Sequence, residues 1–146
     1  MKISSKAFSH NQNIPAKYTC DGENVSPPLT IAEVPEQTKS ITIIADDPDA
    51  PGGDFSHWLV WNINPKLTEI AEDREPAGSV EGTTDFGKVG YGGPCPPAGI
   101  HRYFFKVFAL DTALNLPATT QKQELVKSMS GHILDQGELI GLYSRK

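Results

Sequence analysis

Two short stretches hold most of the side chains able to do polar chemistry: residues 47–58, DPDAPGGDFSHW, and residues 90–103, GYGGPCPPAGIHRY. Their imidazole, phenol and carboxylate groups suit the binding of a small anion. A protonated imidazole or a tyrosyl O–H donates to phosphate oxygens, while the Asp47 carboxylate fixes a histidine tautomer or accepts from a ligand amine. A phosphoethanolamine-like group offers partners for both. Glycine and proline set the turns, leaving Asp47, Asp49, His57, Tyr91, His101 and Tyr103 at strand ends, where loops build pockets. Taken singly, each histidine reads as a satisfied strand-end residue; taken together within these motifs, they read as a site. Asp47, Asp49, His57 and His101 also have the chemistry of a zinc or manganese site. A hydrolase or transferase acting on a phosphorylated or ester substrate is the enzyme alternative, with Ser56 or Cys95 as nucleophile. Ser56 diverges from His57 on a strand, and Cys95 sits between prolines with no helix N-terminus to activate it, so no complete catalytic set emerges.

Three apolar runs must position these groups: 41–45, 58–63 and 103–110, each rich in β-branched and aromatic residues and bounded by Pro, Gly or Asp. They predict central strands of a mostly β fold. Two of them are apolar on both alternating faces, which suits a sheet covered on both sides. Strict alternation puts Asp47 on a face with Ile41, Ile43 and Ala45. It puts His57 with Leu59 and Trp61, and His101 with Tyr103, Phe105 and Val107. Trp58 and Trp61 then point to opposite faces, and Arg102 points away from His101, toward an ion pair with an acid of the first motif. Asp49 is expected either at the ligand or bracing its loop through backbone N–H groups. One helix is predicted late, with Thr120 and Gln123 as a capping box and Leu125, Val126, Met129 and Ile133 on one face. Residues 137–144 read as a final strand. The Ala50-Pro51 bond, in a crowded loop, is a candidate cis peptide.

Length and charge narrow the classes. A chain of 146 residues buries roughly 70% of its extended surface on folding, so a single domain over residues 1–146 is expected. With 13 basic against 18 acidic residues, a formal charge of −5 and no Lys/Arg cluster, nucleic acid is not the expected partner. No apolar run approaches the roughly 20 residues of a membrane span, and the first residues lack a signal-peptide core. A cytoplasmic protein without a cofactor is therefore expected. Cys20 and Cys95 allow a bridge, a metal pair or two inert thiols. A cytosolic setting favours free thiols; if the Gly- and Pro-rich loop of Cys20 folds over the pocket rim, the two cysteines come within reach of a disulfide or redox pair.

The order D-P-D-A-P, H-W-L-V-W-N-I, then G-Y-G-G-P-x-P-P-x-G-x-H-R-Y-x-F resembles the phosphatidylethanolamine-binding protein family, which includes the Raf kinase inhibitor proteins. Residues 18–29 and 84–88 resemble its compact bacterial and archaeal branch, and the resemblance covers nearly the whole chain. It implies a β-sandwich with one or two peripheral helices. It also implies a small-anion site made by Asp47, His57, His101 and Tyr103, and no metal. The proline-rich loop, Pro94, Pro96 and Pro97, would be its wall; Tyr91, Gly92 and Gly93 would line it, with Asp49 beside them. The expected role is binding without catalysis, by docking on a protein kinase or serine protease, with homodimerisation open. The chain is short between Pro51 and His57 and lacks the C-terminal extension of the animal proteins.

Overall fold

The computed structural model describes residues 1–145. Two sheets, one α-helix and a single 3-10 turn at Ala16–Tyr18 account for its regular structure among those residues. A six-stranded sheet has the order β2 (Gln12–Asn13), β9 (Ile133–Tyr143), β8 (His101–Leu110), β4 (Ser40–Asp47), β5 (Phe55–Ile63), β7 (Val80–Glu81). A smaller sheet, β1 (Lys2–Ser4), β3 (Leu29–Ala32) and β6 (Glu69–Ile70), is antiparallel throughout. All eight residues of β4 are buried, as expected for a central strand with a layer on each side.

Those two layers differ. Ile41, Ile43 and Ala45 of β4, with Trp58, Val60, Tyr103, Phe105 and Val107, meet Ile3, Leu29, Ile31 and Ile70 of the small sheet in one core. Ile44, Leu59, Trp61 and Leu110 form a second core with Leu114, Leu125 and Met129 around the helix α1 (Lys122–Met129). Trp58 and Trp61 thus fall on opposite faces, as alternation predicts. The mostly β sandwich with a peripheral helix is the observed architecture.

The helix departs from expectation at both ends. Its N-cap residue is Gln121, with no side-chain cap bond, because Thr120 is buried and donates its backbone N–H to the Pro117 carbonyl in a preceding turn. The capping box is therefore not made. At the other end Ile133 belongs to β9, which starts four residues earlier than the glycine at 137 suggested; Gly131, at φ 84°, supplies the left-handed step that ends the helix. No cis peptide occurs among the described residues, so Ala50-Pro51 is trans.

The pairing of β4 with β5 is irregular. Ala45 faces Trp58 and Asp46 faces Ser56, which leaves His57 as an extra residue, a β-bulge. A second register shift lies between the Ile43–Val60 and Ile41–Ile63 pairs, where Asn62 adopts φ 59°. Two bulges in one central strand rotate its faces twice. The first decides the geometry of the site.

Candidate functional site

Asp47 ends β4 on the small-sheet side, 3% exposed, and both of its oxygens are occupied. Oδ1 accepts the Asp49 N–H at 2.7 Å, closing an Asx turn over Pro48. Oδ2 accepts Nδ1–H of His101, also at 2.7 Å. The histidine ring is thereby fixed in one orientation, with Nε2 as its free polar edge.

His57 reaches the same place by the bulge. Strict alternation puts it with Leu59 and Trp61 on the helix side; the extra residue turns it instead onto the face of Asp47 and Tyr103. Its Nδ1–H donates to the Gly92 carbonyl at 2.7 Å, while the Gly92 N–H donates back to the His57 carbonyl. A carbonyl can only accept, so this bond sets the tautomer and again leaves Nε2 free. Burial pushes the pKa of this imidazole down, against the opposing pull of the Gly92 carbonyl and the Asp47 charge. The ring is neutral at pH 7, and Nε2 presents a lone pair.

Tyr103 lies between the two histidines, edge-on to His57 at 5.2 Å and stacked along His101 at 6.4 Å between ring centres. Burial pushes its phenol pKa up, and Asp47 and Asp49 add to the rise; the Cys95 N–H opposes it by hydrogen bonding to the phenol oxygen. Its O–H therefore remains a donor at any physiological pH. Together Asp47, His57, His101 and Tyr103 line a cavity of ≈ 160 Å³. Its walls are Pro96, Pro97 and Cys95 on one side and Ala50 and Pro51 on another, with Phe55 and Phe86 forming an aromatic edge around His57.

Asp49 does not line this cavity. Its carboxylate accepts the backbone N–H of Arg102 and two guanidinium N–H groups, at 2.8–2.9 Å. The Arg102 bonds hold the Asp49 carboxyl down at about 2. Arg102 is half exposed, so solvent screens the pair and its contribution is geometric more than energetic. It ties the first motif to the strand carrying His101 from the outer side.

The other motif residues stand behind the wall. Tyr91 donates its O–H to the Tyr18 carbonyl and packs edge-on to Trp58, 5.7 Å between ring centres. Gly93 donates to Asn24 Oδ1, and a Cβ there would lie 2.3 Å from the Tyr18 carbonyl oxygen. Pro94 accepts from the Cys20 N–H. None of Tyr91, Gly92, Gly93 or Pro94 lines the cavity. Cys20 and Cys95 form a disulfide, so the free thiols that a cytosolic setting favours are not what the fold contains.

Ala50, Pro51, Phe55 and Phe86 line the cavity without having been singled out by the motifs. Phe55 sits two before His57, a spacing that pointed to the pocket face once the bulge is known. Phe86 arrives from the 84–88 turn, whose closure rests on Gly87 at φ 78° and the Thr84 N–H to Lys88 carbonyl bond. A broader groove of ≈ 750 Å³ lies beyond Pro97, between Asn13, Asp21, Tyr143 and Arg145. There Asp21 already pairs with Arg145 and accepts from Tyr143.

A sandwich whose strand ends enclose a small, largely apolar cavity with Asp47, His57, His101 and Tyr103 set into it has the build of a ligand-binding protein. The sequence pattern of the phosphatidylethanolamine-binding protein family matches residues 4–144, and the chain belongs to that family. A UPF0098 protein from Methanothermobacter thermautotrophicus is 48% identical, with 99% of each chain covered. The crystal structure of a phosphatidylethanolamine-binding protein homologue from Chlamydia trachomatis superposes with a TM-score of 0.95 at 39% identity, covering 99% of this chain and 97% of that one. YbcL of E. coli, described as a member of the mammalian phosphatidylethanolamine-binding protein family, superposes with a TM-score of 0.93 at 32% identity, covering 99% and 98%. No helix among the described residues is long and apolar enough to cross a membrane.

Proposed function

We propose that this protein binds a small phosphate-bearing anion in the cavity of Asp47, His57, His101 and Tyr103, and that it acts by docking rather than by turnover. One observation carries the reading: two buried histidines are each fixed through Nδ1, by Asp47 and by the Gly92 carbonyl, so that both present Nε2 to one cavity beside a tyrosyl O–H. A volume of ≈ 160 Å³ is roughly that of five waters at about 30 Å³ each. That is room for phosphate or a phosphoethanolamine head group. The family's name, phosphatidylethanolamine-binding, agrees with such a head group.

The residues available for covalent catalysis support binding over hydrolysis. Ser56 is turned to the opposite face, where its hydroxyl accepts the Asp85 N–H, and the Cys95 sulfur is held in the bridge. The Asp47–His101 pair resembles the orienting half of a catalytic triad without its nucleophile. Modulation of a protein kinase or serine protease is the docking role that the family suggests.

Titration of the wild-type protein with phosphate and with phosphoethanolamine, followed by imidazole and backbone NMR shifts, tests the site. Saturable shifts centred on Asp47, His57 and His101 are expected, and His101→Ala should abolish them. Absence of any shift in the wild type overturns the proposal, and phosphate release from a phosphomonoester that is lost in His57→Ala replaces it with the hydrolase.

The neutral His57 ring gives a pH dependence. A fully deprotonated phosphate oxygen opposite the Nε2 lone pair is repelled, so binding above neutrality brings one proton with it, on the imidazole or on the phosphate. Proton uptake on binding means that rising pH weakens it. Affinity should fall by up to about tenfold per pH unit above pH 7; a flat profile from pH 6 to 9 would assign the anion to backbone donors.

A further inference from the structure

We propose that Cys20–Cys95 is a thiol–disulfide exchange site, open to a dithiol reductant, and that reducing it weakens anion binding. The second half rests on the anion reading above. Three observations carry the inference. Cys95 itself lines the anion cavity, between the wall prolines, and its N–H faces the Tyr103 oxygen. Cys95 is exposed and Cys20 half-buried, which sets the bridge at the surface and outside both apolar cores. Arg145, held by Asp21 through Nε and Nη2, keeps Nη1 for the bridge and places it 3.7 Å from Cys95 Sγ, a donor beside the sulfur that must carry negative charge when the bridge opens.

The exchange balances in two displacements. A thiolate of the dithiol attacks Cys20 Sγ, forming a mixed disulfide; the Cys20–Cys95 bond breaks and its electron pair leaves on Cys95 Sγ, beside Arg145. The second thiolate of the reductant then attacks its own sulfur in the mixed disulfide and expels Cys20 as thiolate, which takes a proton from solvent. The reductant loses two electrons and becomes a disulfide, and the protein gains them as two cysteines.

The wall leans on this bridge because its sequence leaves it few other ties. Pro94, Pro96 and Pro97 have no backbone N–H to donate. Between Gly93 and His101 the segment is held by the disulfide, by the Cys20 N–H to Pro94 carbonyl bond at 3.1 Å, and by the Cys95 N–H at Tyr103. Opening the bridge frees Cys95 from the 20s loop and sets a thiolate at the rim of an anion site. Both changes act against the anion.

The test has two arms. In the first, folded oxidised protein is exposed to dithiothreitol at pH 7.5 and thiol release is timed. Release within about tenfold of the rate in denaturant is expected, and release only in denaturant overturns the exchange. Arg145→Gln should slow release and Arg145→Lys should not; equal rates for all three remove Arg145 from the step. In the second arm, phosphate is titrated into oxidised and reduced protein, with circular dichroism confirming the fold of each. Affinity at least about fivefold weaker in the reduced form is expected from the added charge and the freed wall. Equal affinities, or unfolding on reduction, overturn the coupling. Absence of phosphate binding by the oxidised form overturns the anion reading and the coupling with it, while thiol release still decides the exchange. Cys20→Ser/Cys95→Ser, which frees the wall but has no ionisable sulfur, should bind with an affinity between those of the oxidised and reduced forms; binding like the oxidised form overturns the part given to the wall, and binding like the reduced form overturns the part given to the charge.

Discussion

Trp58→Ala is expected to destabilise the fold by about 3–5 kcal/mol. The side chain is fully buried in the core between the two sheets. Its Nε1–H donates to Glu81 Oε2 at 2.7 Å, and the ring meets Tyr91 edge-on. Truncation therefore opens a cavity and also removes a donor from a carboxylate that shares a hydrogen bond with Glu75, whose own pKa is raised by burial and by that neighbour. Trp58→Phe refills most of the space without restoring the N–H, so its cost should be about 1–3 kcal/mol. Urea unfolding of the two variants separates packing from the hydrogen bond. Equal losses would mean that the indole N–H, not the buried volume, carries the effect. Because Trp58 follows the bulged His57 directly, Trp58→Ala should also broaden the His57 imidazole resonance.

Removing the disulfide is expected to cost a similar amount through the unfolded chain. Cys20 and Cys95 are 75 residues apart, and cross-linking a loop of that size restricts the denatured ensemble by about 4 kcal/mol in the chain-entropy account. For a chain of this length that corresponds to a Tm lower by about 10 °C. Calorimetry of the oxidised protein against Cys20→Ser/Cys95→Ser gives the number directly. A change of less than about 2 °C would mean that the denatured state is already compact around this pair.

Much of the fold was legible because its signals are local. The apolar runs 41–45, 58–63 and 103–110 became the centres of β4, β5 and β8, which extend past them to take in Asp47, His57 and His101. Arg102 pairs with Asp49, as strand parity and the acids of the first motif together indicated. The placement of His57 was not legible by counting. Alternation has period two, and a bulge inserts one unpaired residue whose presence depends on the partner strand, here on Ala45 and Asp46, not on β5 alone. The helix start failed for a related reason. Thr120 and Gln123 have the right types and spacing for a capping box, but the 117–120 turn claims Thr120 first. Phe86 could not be placed from the strands because it enters the site from a separate turn. Tyr91, Gly92, Gly93 and Pro94 carry motif letters yet serve as the backing of the wall, since tertiary hydrogen bonds to Tyr18, Asn24, His57 and Cys20 absorb their polar groups.

Asp47 and Asp49, two residues apart, grip two consecutive residues of β8 from opposite sides, His101 within and Arg102 without. The loop and the strand are thereby locked as one unit before any ligand arrives. The entropy of ordering the site is spent in folding, not in recognition. Association should then resemble a key entering a finished lock: rates set by diffusion and charge, with little change in backbone shape between the empty and filled states.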